Sequence, residues 1–420
     1  MKPWHTISVS LFSVLVLMAG LAAGLDAADR AYPPPLETAA LVSSEVVDSD
    51  GQLLRAFATR EGRWRLKTSL DDVDPRLLDM LVAYEDQRFF QHSGVDLLAI
   101  GRAAVQLVGH GRVVSGASTL SMQVARLIEP RPARSLSAKV LQLIRAIQIE
   151  RRMSKQQILE LYLTHAPYGG NLEGVRAASL AYFGKEPRRL TVAEAALLVA
   201  LPQSPEARRP DRHAGAAETA RDRVLSRPAV AAVTGHGEAE RAAGEPVPRR
   251  RQQLPAHAAH VAEAAIRIQP GAPVHRTTLK MTVQRALEQV AREVAETLDP
   301  KVSLAMVMAD ASTGDIVAEV GSAGYFEASR SGWIDVTRVN RSPGSTLKPF
   351  IYGLALEQGL VAQETIIEDR PANFFGYRPK NFDMSYQGDV SVREALQLSL
   401  NLPVVALTDA MGPAKLLAAM

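Results

Sequence analysis

Hydrophobic residues recur every three or four positions through much of the first half of the chain. This spacing predicts a mainly helical region from about residue 74 to residue 205. Polar side chains that accept from the first free amides of a helix, and a proline that suits its first position, mark where these helices begin. The start signals are Asp74-Pro75, the capping box from Ser154 to Gln157 and the capping box from Thr191 to Glu194; Pro202 ends the last helix.

Strand patterns flank this helical region. Residues 45–54 indicate a strand, a turn and a second strand, and the apolar stretches 304–308 and 316–320 enclose a turn-rich segment that predicts a hairpin. Between them, residues 206–262 are rich in Ala, Arg, Pro and Gly, which favours a linker with some helix. We therefore divide the chain into residues 1–29, 30–211, a linker at 212–276, and a second globular region at 277–420.

The N-terminus contains an uncharged run from Ile7 to Leu25 that is long enough to cross a bilayer as one helix. Lys2 precedes the run and Asp26 follows it, which places the bulk of the chain outside the cytoplasm. We expect an uncleaved, single-pass anchor in the inner (cytoplasmic) membrane, with the later domains on the periplasmic side. A cleaved signal peptide and a buried helix of a soluble domain are the alternatives.

Composition narrows the possible partners. The 420 residues are 47% hydrophobic, which excludes global disorder and allows two or three domains. The formal charge is +3 and the pI is about 9.1, which suits an anionic substrate or phospholipid headgroups. Aromatic residues make up only 5% and do not alternate with basic ones, so nucleic acid is not an expected partner. There is no cysteine to report on the redox compartment.

Glu85 is the first candidate for a catalytic group. The helical spacing places it on the face that carries Leu77, Leu78 and Leu81. Desolvation disfavours the charged form of a carboxyl group, a property that a general acid or base near neutral pH requires. The alternative is a solvated ion pair with Arg88.

Hydroxyl-rich and basic stretches follow Glu85. The segment 116–123 contains Ser118 and Thr119 and offers donors to an oxyanion. Arg126, Arg134 and Lys139 come next, and such a cluster suits a pyrophosphate. Glu160 supplies a second carboxylate, although it also fits the polar face of an amphipathic helix, as the cations fit solvated helix faces.

Together these stretches resemble the peptidoglycan glycosyltransferases of glycosyltransferase family 51, over roughly residues 45–211. The matching motifs are Glu85-Asp86-x-x-Phe89-x-x-His92-x-Gly94, Gly116-x-Ser118-Thr119-Leu120-x-x-Gln123 and Ile158-Leu159-Glu160-x-Tyr162-Leu163.

The resemblance implies a helical, lysozyme-like domain that polymerises lipid II into glycan strands and releases undecaprenyl pyrophosphate. It implies that Glu85 is the general base, and that Glu160 lies near the pyrophosphate or an optional magnesium or manganese ion. It also implies substrate contacts by Ser118, Thr119, Gln123, Arg126, Arg134 and Lys139.

One motif departs from the family pattern. The family usually has Arg-Lys-x-x-Glu, whereas this chain has Ala138-Lys139-x-x-Gln142. Lys139 therefore lacks the arginine and the glutamate that accompany this lysine in the family motif. A hydrolase with the same helical fold is the nearest competitor, because two carboxylates also serve glycoside hydrolysis. The basic cluster favours transfer, since a pyrophosphate leaving group needs cations more than a protonating acid.

The second region contains Ser345 and Lys348, one helical turn apart, which places the lysine amine within reach of the serine hydroxyl. A buried lysine with a lowered pKa would activate the serine, although a surface pair is the alternative. Downstream, a capping box from Ser391 to Glu394 predicts another helix, and Ser399 and Asn401 follow it. This Ser-x-x-Lys and Ser-x-Asn set resembles penicillin-binding transpeptidases, and the whole chain is similar to class A penicillin-binding proteins.

The resemblance implies a D-Ala-D-Ala transpeptidase or carboxypeptidase, β-lactam binding and other cell-wall synthesis proteins as partners. No Lys-Thr-Gly motif follows, and the chain stops at Met420. We therefore expect only the start of an α+β acyltransferase domain, which acylates poorly. The alternative of a different class is a non-catalytic, membrane-anchored scaffold that binds glycan and recruits other synthases.

Overall fold

The computed structural model describes residues 29–110, 118–130 and 135–420, together with residues 20, 23, 24, 26 and 27. The chain forms two compact units, Met1–Thr337 and Arg338–Met420. The first unit is mainly helical. Its helices are α1 (Leu36–Ala39), α2 (Pro75–Glu85), α3 (Leu97–His110), α4 (Leu120–Ile128), α5 (Leu136–Arg152), α6 (Lys155–His165), α7 (Val175–Phe183), α8 (Val192–Ala200), α9 (Ala214–Leu225), α10 (Pro228–Thr234), α11 (His236–Ala243), α12 (Ala259–Ile268) and α13 (Met281–Thr297).

Short strands accompany these helices. β1 pairs antiparallel with β2 and parallel with β6, β5 lies between β3 and β4, and β7 pairs antiparallel with β8. The hairpins predicted near residues 45–54 and 304–320 are confirmed. The strands are β1 (Ser44–Val47), β2 (Leu53–Phe57), β3 (Trp64–Arg65), β4 (Pro167–Gly169), β5 (Leu172–Glu173), β6 (Val274–Arg276), β7 (Met306–Ala309) and β8 (Ile316–Val320).

The predicted helix starts are confirmed. Asp74 accepts from the backbone N–H of Arg76 at 3.0 Å, with Pro75 at the first position of α2. Both predicted capping boxes, at Ser154 ahead of α6 and at Thr191 ahead of α8, form with reciprocal hydrogen bonds. These contacts satisfy amides that have no partner within the helix, so short sequence patterns specify where the helices begin.

The core of the helical part lies among α2, α4, α6, α7 and α8. Its largest fully buried side chains include Phe89, Met80, Leu120 and Leu163. The helix predicted within the linker is present as α9, α10 and α11, and their apolar residues join this same core. Those residues are Ala217, Ala220, Val224, Leu225, Val230, Ala239 and Ala242.

A buried ion-pair cluster connects β1 to α7. Arg176 donates to Glu45 at 2.9 Å and to Glu186 at 2.8 Å, and also to the carbonyl of Lys67 at 2.9 Å. Burial raises the pKa of Glu45, although the Arg176 charge opposes this shift. Glu45 therefore depends on Arg176 to remain charged inside the protein.

The second unit contains α14 (Lys348–Glu357), α15 (Val392–Gln397), α16 (Asn401–Met411), α17 (Pro413–Ala419) and the antiparallel strands β9 (Ile366–Asp369) and β10 (Gly388–Ser391). The predicted capping box at Ser391 starts α15. Tyr352, Ala355, Val390 and Leu407 lie in its own apolar core. This unit is an α+β arrangement.

Among the described residues, no single helix is long and apolar enough to cross a membrane. Helices α16 and α17 are long and apolar enough only when taken together, and the chain bends by 91° between them. The predicted anchor at residues 7–25 lies almost entirely outside the described residues.

Arg176→Ala is expected to destabilise the first unit by about 3–5 kcal/mol, because it leaves Glu45 buried and unpaired. Arg188→Ala is the matched control: its ion pair with Asp72 spans 3.5 Å at an exposed site, and its loss is expected to cost less than about 1 kcal/mol. Urea unfolding of the two variants measures the difference. Equal effects would contradict the role assigned to the buried cluster.

Candidate active sites

Glu85 is the last residue of α2 and is half-buried. The amide of Gln123 on α4 donates to its Oε2 at 2.8 Å, and the amide of Gln203 donates to its Oε1 at 2.7 Å. Arg88 pairs instead with Asp96 at 3.2 Å, so the alternative of a Glu85 to Arg88 surface pair is wrong. Each carboxylate oxygen of Glu85 is thus held by a neutral amide.

Asp86 positions the end of α2 against the start of α4. Its carboxylate accepts from the backbone N–H of Leu120 at 3.0 Å and from His92 Nε2 at 3.1 Å. The backbone N–H of Gly94 donates to His92 Nδ1, which places the imidazole proton on Nε2, facing Asp86. Asp86 therefore fixes the direction in which the neighbouring Glu85 side chain leaves the helix.

The Gly94 backbone completes this joint. Thr119, which caps α4, donates its hydroxyl to the Gly94 carbonyl at 2.6 Å. Gly94 has φ +94°, and a Cβ there would lie 2.8 Å from the Ala146 backbone. Only glycine combines this backbone conformation with so close an approach.

Gln203 was missed by sequence reasoning. It lies in the single turn after α8, and Arg208 donates to its side-chain oxygen at 3.1 Å and to the carbonyl of Ala200 at 2.7 Å. Arg208 therefore orients the Gln203 amide so that its nitrogen faces Glu85. The only local signal was a polar residue directly after Pro202.

Lys155, which sequence reasoning also missed, contacts the segment that follows Glu85. Lys155 donates to Glu150 at 2.6 Å and to the carbonyl of His92 at 2.7 Å, and its amine lies 4.3 Å from the centroid of the Phe89 ring. The hydroxyl of Ser121 also donates to Glu150. This network connects α4, α5 and α6 beneath the Glu85 motif.

Tyr162 and Arg126 share the electrostatic environment of Glu85. The Tyr162 hydroxyl is buried and has no hydrogen-bond partner within the described ranges. Burial raises its pKa well above the ordinary value; the charge of Glu85 adds to the shift and Arg126 opposes it. The carboxylate, the phenol and the guanidinium therefore lie in one region of the helical part.

Lys139 is positioned by neutral hydrogen-bond acceptors. Its amine donates to the Ser118 hydroxyl at 2.6 Å and to the Gln142 side-chain oxygen at 3.2 Å, while Gln142 donates to the Met122 carbonyl at 2.5 Å. Partial burial lowers the pKa of Lys139, and the positive charge of Arg126 lowers it further. Arg134 lies outside the described residues.

Glu160 is half-buried on α6 and accepts from the backbone N–H of Leu70 at 3.3 Å. Over the ranges 29–110, 118–130 and 135–420 there is no group of three or more His, Asp or Glu side chains arranged to hold a metal ion.

In the second unit, Lys348 is buried at the start of α14. Its amine donates to the backbone carbonyl of Ser399, to the Ser399 hydroxyl at 3.1 Å and to Asn401 Oδ1 at 2.7 Å. Burial lowers the pKa of Lys348. Ser399 has φ +55°, an uncommon conformation for serine that turns its carbonyl and hydroxyl toward the same amine.

Ser345 is exposed one turn before Lys348, in the short helix Gly344–Leu347 that runs into α14. Its carbonyl accepts from the backbone N–H of Lys348. Within the described range 135–420, its hydroxyl makes no hydrogen bond, and the lysine amine is directed at Ser399 and Asn401. The structure thus brings Lys348, Ser399 and Asn401 together, with Ser345 at the exposed edge.

Comparison with known proteins matches the two regions of the chain to two protein families. A transglycosylase family model matches residues 50–229, and a model of the penicillin-binding protein transpeptidase domain matches residues 304–420. Penicillin-binding protein 1C from Escherichia coli is 41% identical over 98% of this chain and 52% of its own length. The chain is thus similar to the class A penicillin-binding proteins in both matched regions.

Two further penicillin-binding proteins are similar to this chain over most of its length. Penicillin-binding protein 1F from Bacillus subtilis is 30% identical over 88% of this chain and 53% of its own length. Penicillin-binding protein 1B from Vibrio cholerae is 32% identical over 83% of this chain and 48% of its own length. The chain thus spans about half the length of these curated relatives.

The solved structure of penicillin-binding protein 1A from Haemophilus influenzae covers 90% of this chain and 63% of its own, at 18% identity and a TM-score of 0.39. The sequence matches assign the two groups of residues: Glu85, Gln123, Lys139 and Glu160 fall in the transglycosylase domain, and Ser345 to Asn401 fall in the transpeptidase domain.

Asp86→Asn is expected to destabilise the transglycosylase domain by about 1–3 kcal/mol, because the buried amide of Leu120 and the imidazole of His92 lose a charged acceptor. Asp79→Asn, on the exposed face of the same helix, is the control and is expected to change stability by less than about 0.5 kcal/mol. Urea unfolding measures both. A parent-like Asp86→Asn variant would contradict the positioning role.

Proposed function

We propose that this protein polymerises lipid II into glycan strands with release of undecaprenyl pyrophosphate, and that Glu85 is the general base. The observation that supports this most directly is that neutral amides, rather than cations, hold both oxygens of Glu85. A bidentate arginine would stabilise the charged carboxylate and weaken it as a base, whereas an amide orients it without neutralising it. Glu85 would then take the proton of the acceptor 4-hydroxyl.

The leaving group is proposed to bind at the cluster of Arg126, Arg134 and Lys139, with Ser118 and Thr119 nearby. The contact between Lys139 and Ser118, and the charge coupling between Lys139 and Arg126, support this role for Lys139 and Arg126. A magnesium or manganese ion, where present, would take most of its ligands from the pyrophosphate and water and one from Glu160. It would neutralise charge on the departing pyrophosphate.

Two competing functions lead to different expectations. A hydrolase would use Glu160 as an acid beside a water molecule, whereas the cations around Lys139 suit an anionic leaving group. A non-catalytic scaffold would not need both oxygens of Glu85 to be held by convergent donors. Formation of glycan polymer from lipid II would exclude both alternatives.

We also propose the location and the partners. The uncharged run at residues 7–25 would anchor the chain once in the inner membrane, with both catalytic domains on the periplasmic side, where lipid II and nascent glycan are found. Other cell-wall synthesis proteins would be its partners, and nucleic acid would not.

The second proposed activity is acyl transfer to Ser345, at the low rate that the sequence predicts, as in a D-Ala-D-Ala transpeptidase or carboxypeptidase. The Ser345 hydroxyl would attack the carbonyl of the terminal amide bond, form an ester and release D-alanine. Lys348 would accept the serine proton, because burial lowers its pKa and favours the neutral amine. Ser399 would relay the proton and Asn401 would bind the substrate amide. β-Lactams would acylate the same serine.

Glu85→Gln is expected to abolish glycan formation from lipid II by the detergent-solubilised chain, a loss of at least about 100-fold, because the base is removed. Gln203→Ala is expected to lower kcat about tenfold while Glu85 remains, because one orienting donor is lost. Gln289→Ala, an exposed change on α13, is the control. Polymer from Glu85→Gln would refute the base, and no polymer from the parent would favour the scaffold.

Labelling of Ser345 by a fluorescent penicillin is expected to become faster with rising pH and to level off once Lys348 is neutral. The sign follows from the lowered pKa of Lys348: the neutral base forms at a lower pH than in an exposed lysine. Rates measured between about pH 6 and 9 test this. Ser345→Ala should not be labelled, and Lys348→Ala should lose both the rate and its pH dependence. Labelling that persists in Ser345→Ala would refute the site.

A further inference from the structure

Asn401 is held by a residue outside the predicted set. The backbone N–H of Asn401 donates to Asn381 Oδ1 at 2.8 Å, and the Asn401 side-chain amide donates to the carbonyl of Lys380 at 2.7 Å. The segment around Lys380 therefore contacts both the main chain and the side chain of the residue whose Oδ1 accepts from Lys348.

Asn381 is in turn oriented by a buried carboxylate. Its Nδ2 donates to both oxygens of Asp369 at 2.9 Å and to the carbonyl of Ser385 at 2.9 Å. The backbone N–H of Gln387 also donates to Asp369, at 2.8 Å. Asp369 is 0% exposed, Asn381 4% and Lys348 5%, so this chain of contacts runs through the interior of the second unit.

A buried carboxylate without a cation is costly and calls for a reason. Within the described range 135–420, the hydrogen-bond donors to Asp369 are all neutral. The Asn381 amide both accepts from the Asn401 N–H and donates to Asp369, whereas an aspartate would lack the donor and a leucine would lack both groups. The carboxylate thus selects one orientation of the Asn381 amide.

We propose that Asn381, oriented by Asp369, is a positioning residue for acylation of Ser345. It fixes Asn401, whose Oδ1 is one of the oxygens that accept a hydrogen bond from the Lys348 amine. The proposal rests on the proposed acyl transfer. Asn381 touches neither Ser345 nor Lys348 and acts through Asn401 alone.

The test compares Asn381→Ala and Asp369→Asn with the control Asp389→Asn in the full chain. Asp389 lies on β10, next to β9, and forms an exposed ion pair with Arg370 at 2.9 Å, without a contact to Asn381. Two readouts are measured: the rate of Ser345 labelling by a fluorescent penicillin, and the titration of the Lys348 Cε resonance in ¹³C-lysine-labelled protein, assigned with Lys348→Arg.

We expect Asn381→Ala to slow labelling about tenfold and Asp369→Asn to slow it several-fold. We also expect the titration midpoint of Lys348 to fall in both variants, because the buried ammonium loses a well-placed acceptor. Asp389→Asn should match the parent in both readouts. If Asn381→Ala does not fold, Asp369→Asn decides, since it preserves the shape of the side chain.

A folded Asn381→Ala or Asp369→Asn variant in which Lys348 titrates as in the parent would overturn the proposal. If the parent is labelled at Ser345, a variant that is labelled at the same rate would overturn it as well. Failure of the parent to label at Ser345 has a different meaning, because it refutes acyl transfer. The Lys348 titration still decides whether Asn381 positions Asn401 beside the Lys348 amine. The two failures are therefore distinguishable.

Discussion

The hydrogen bonds of the Asp86 carboxylate are the constraint on which the transglycosylase site depends. Asp86 joins the C-terminal end of α2 to the first amide of α4 and to His92. Because Glu85 precedes Asp86 and Gln123 lies on α4, this joint determines the distance between the proposed base and one of its two amide donors. Gln203, Arg208 and the Lys155 network act on a geometry that Asp86 has already established.

Both proposed sites use neutral amides to hold a charged or titrating group. Gln123 and Gln203 donate to Glu85, and Asn401 accepts from Lys348. Gln142 has the same role beside Lys139. An amide supplies direction without adding a full charge beside the group that it holds. An ion pair would favour one protonation state.

The local elements could be predicted because their causes are local. The capping residues Asp74, Ser154, Thr191 and Ser391 start helices where their patterns indicate, since the donors and acceptors lie within three residues of one another. The partner of Arg88 could not be read in this way: Glu85 and Asp96 are both near it along the chain, and only the turn through Phe89–Gln91 selects Asp96.

The sequence by itself determined the family resemblance, the two kinds of domain and the helix starts, because residue types at fixed spacings are properties of the chain. For the same reason it identified the candidate residues Glu85, Glu160, Ser345, Lys348, Ser399 and Asn401. Tertiary structure alone decided which groups orient them. Gln203 is more than a hundred residues from Glu85, and Asp369 and Asn381 precede Asn401 by tens of residues. Contacts at such separations arise from the packing of whole elements, and no local pattern specifies them.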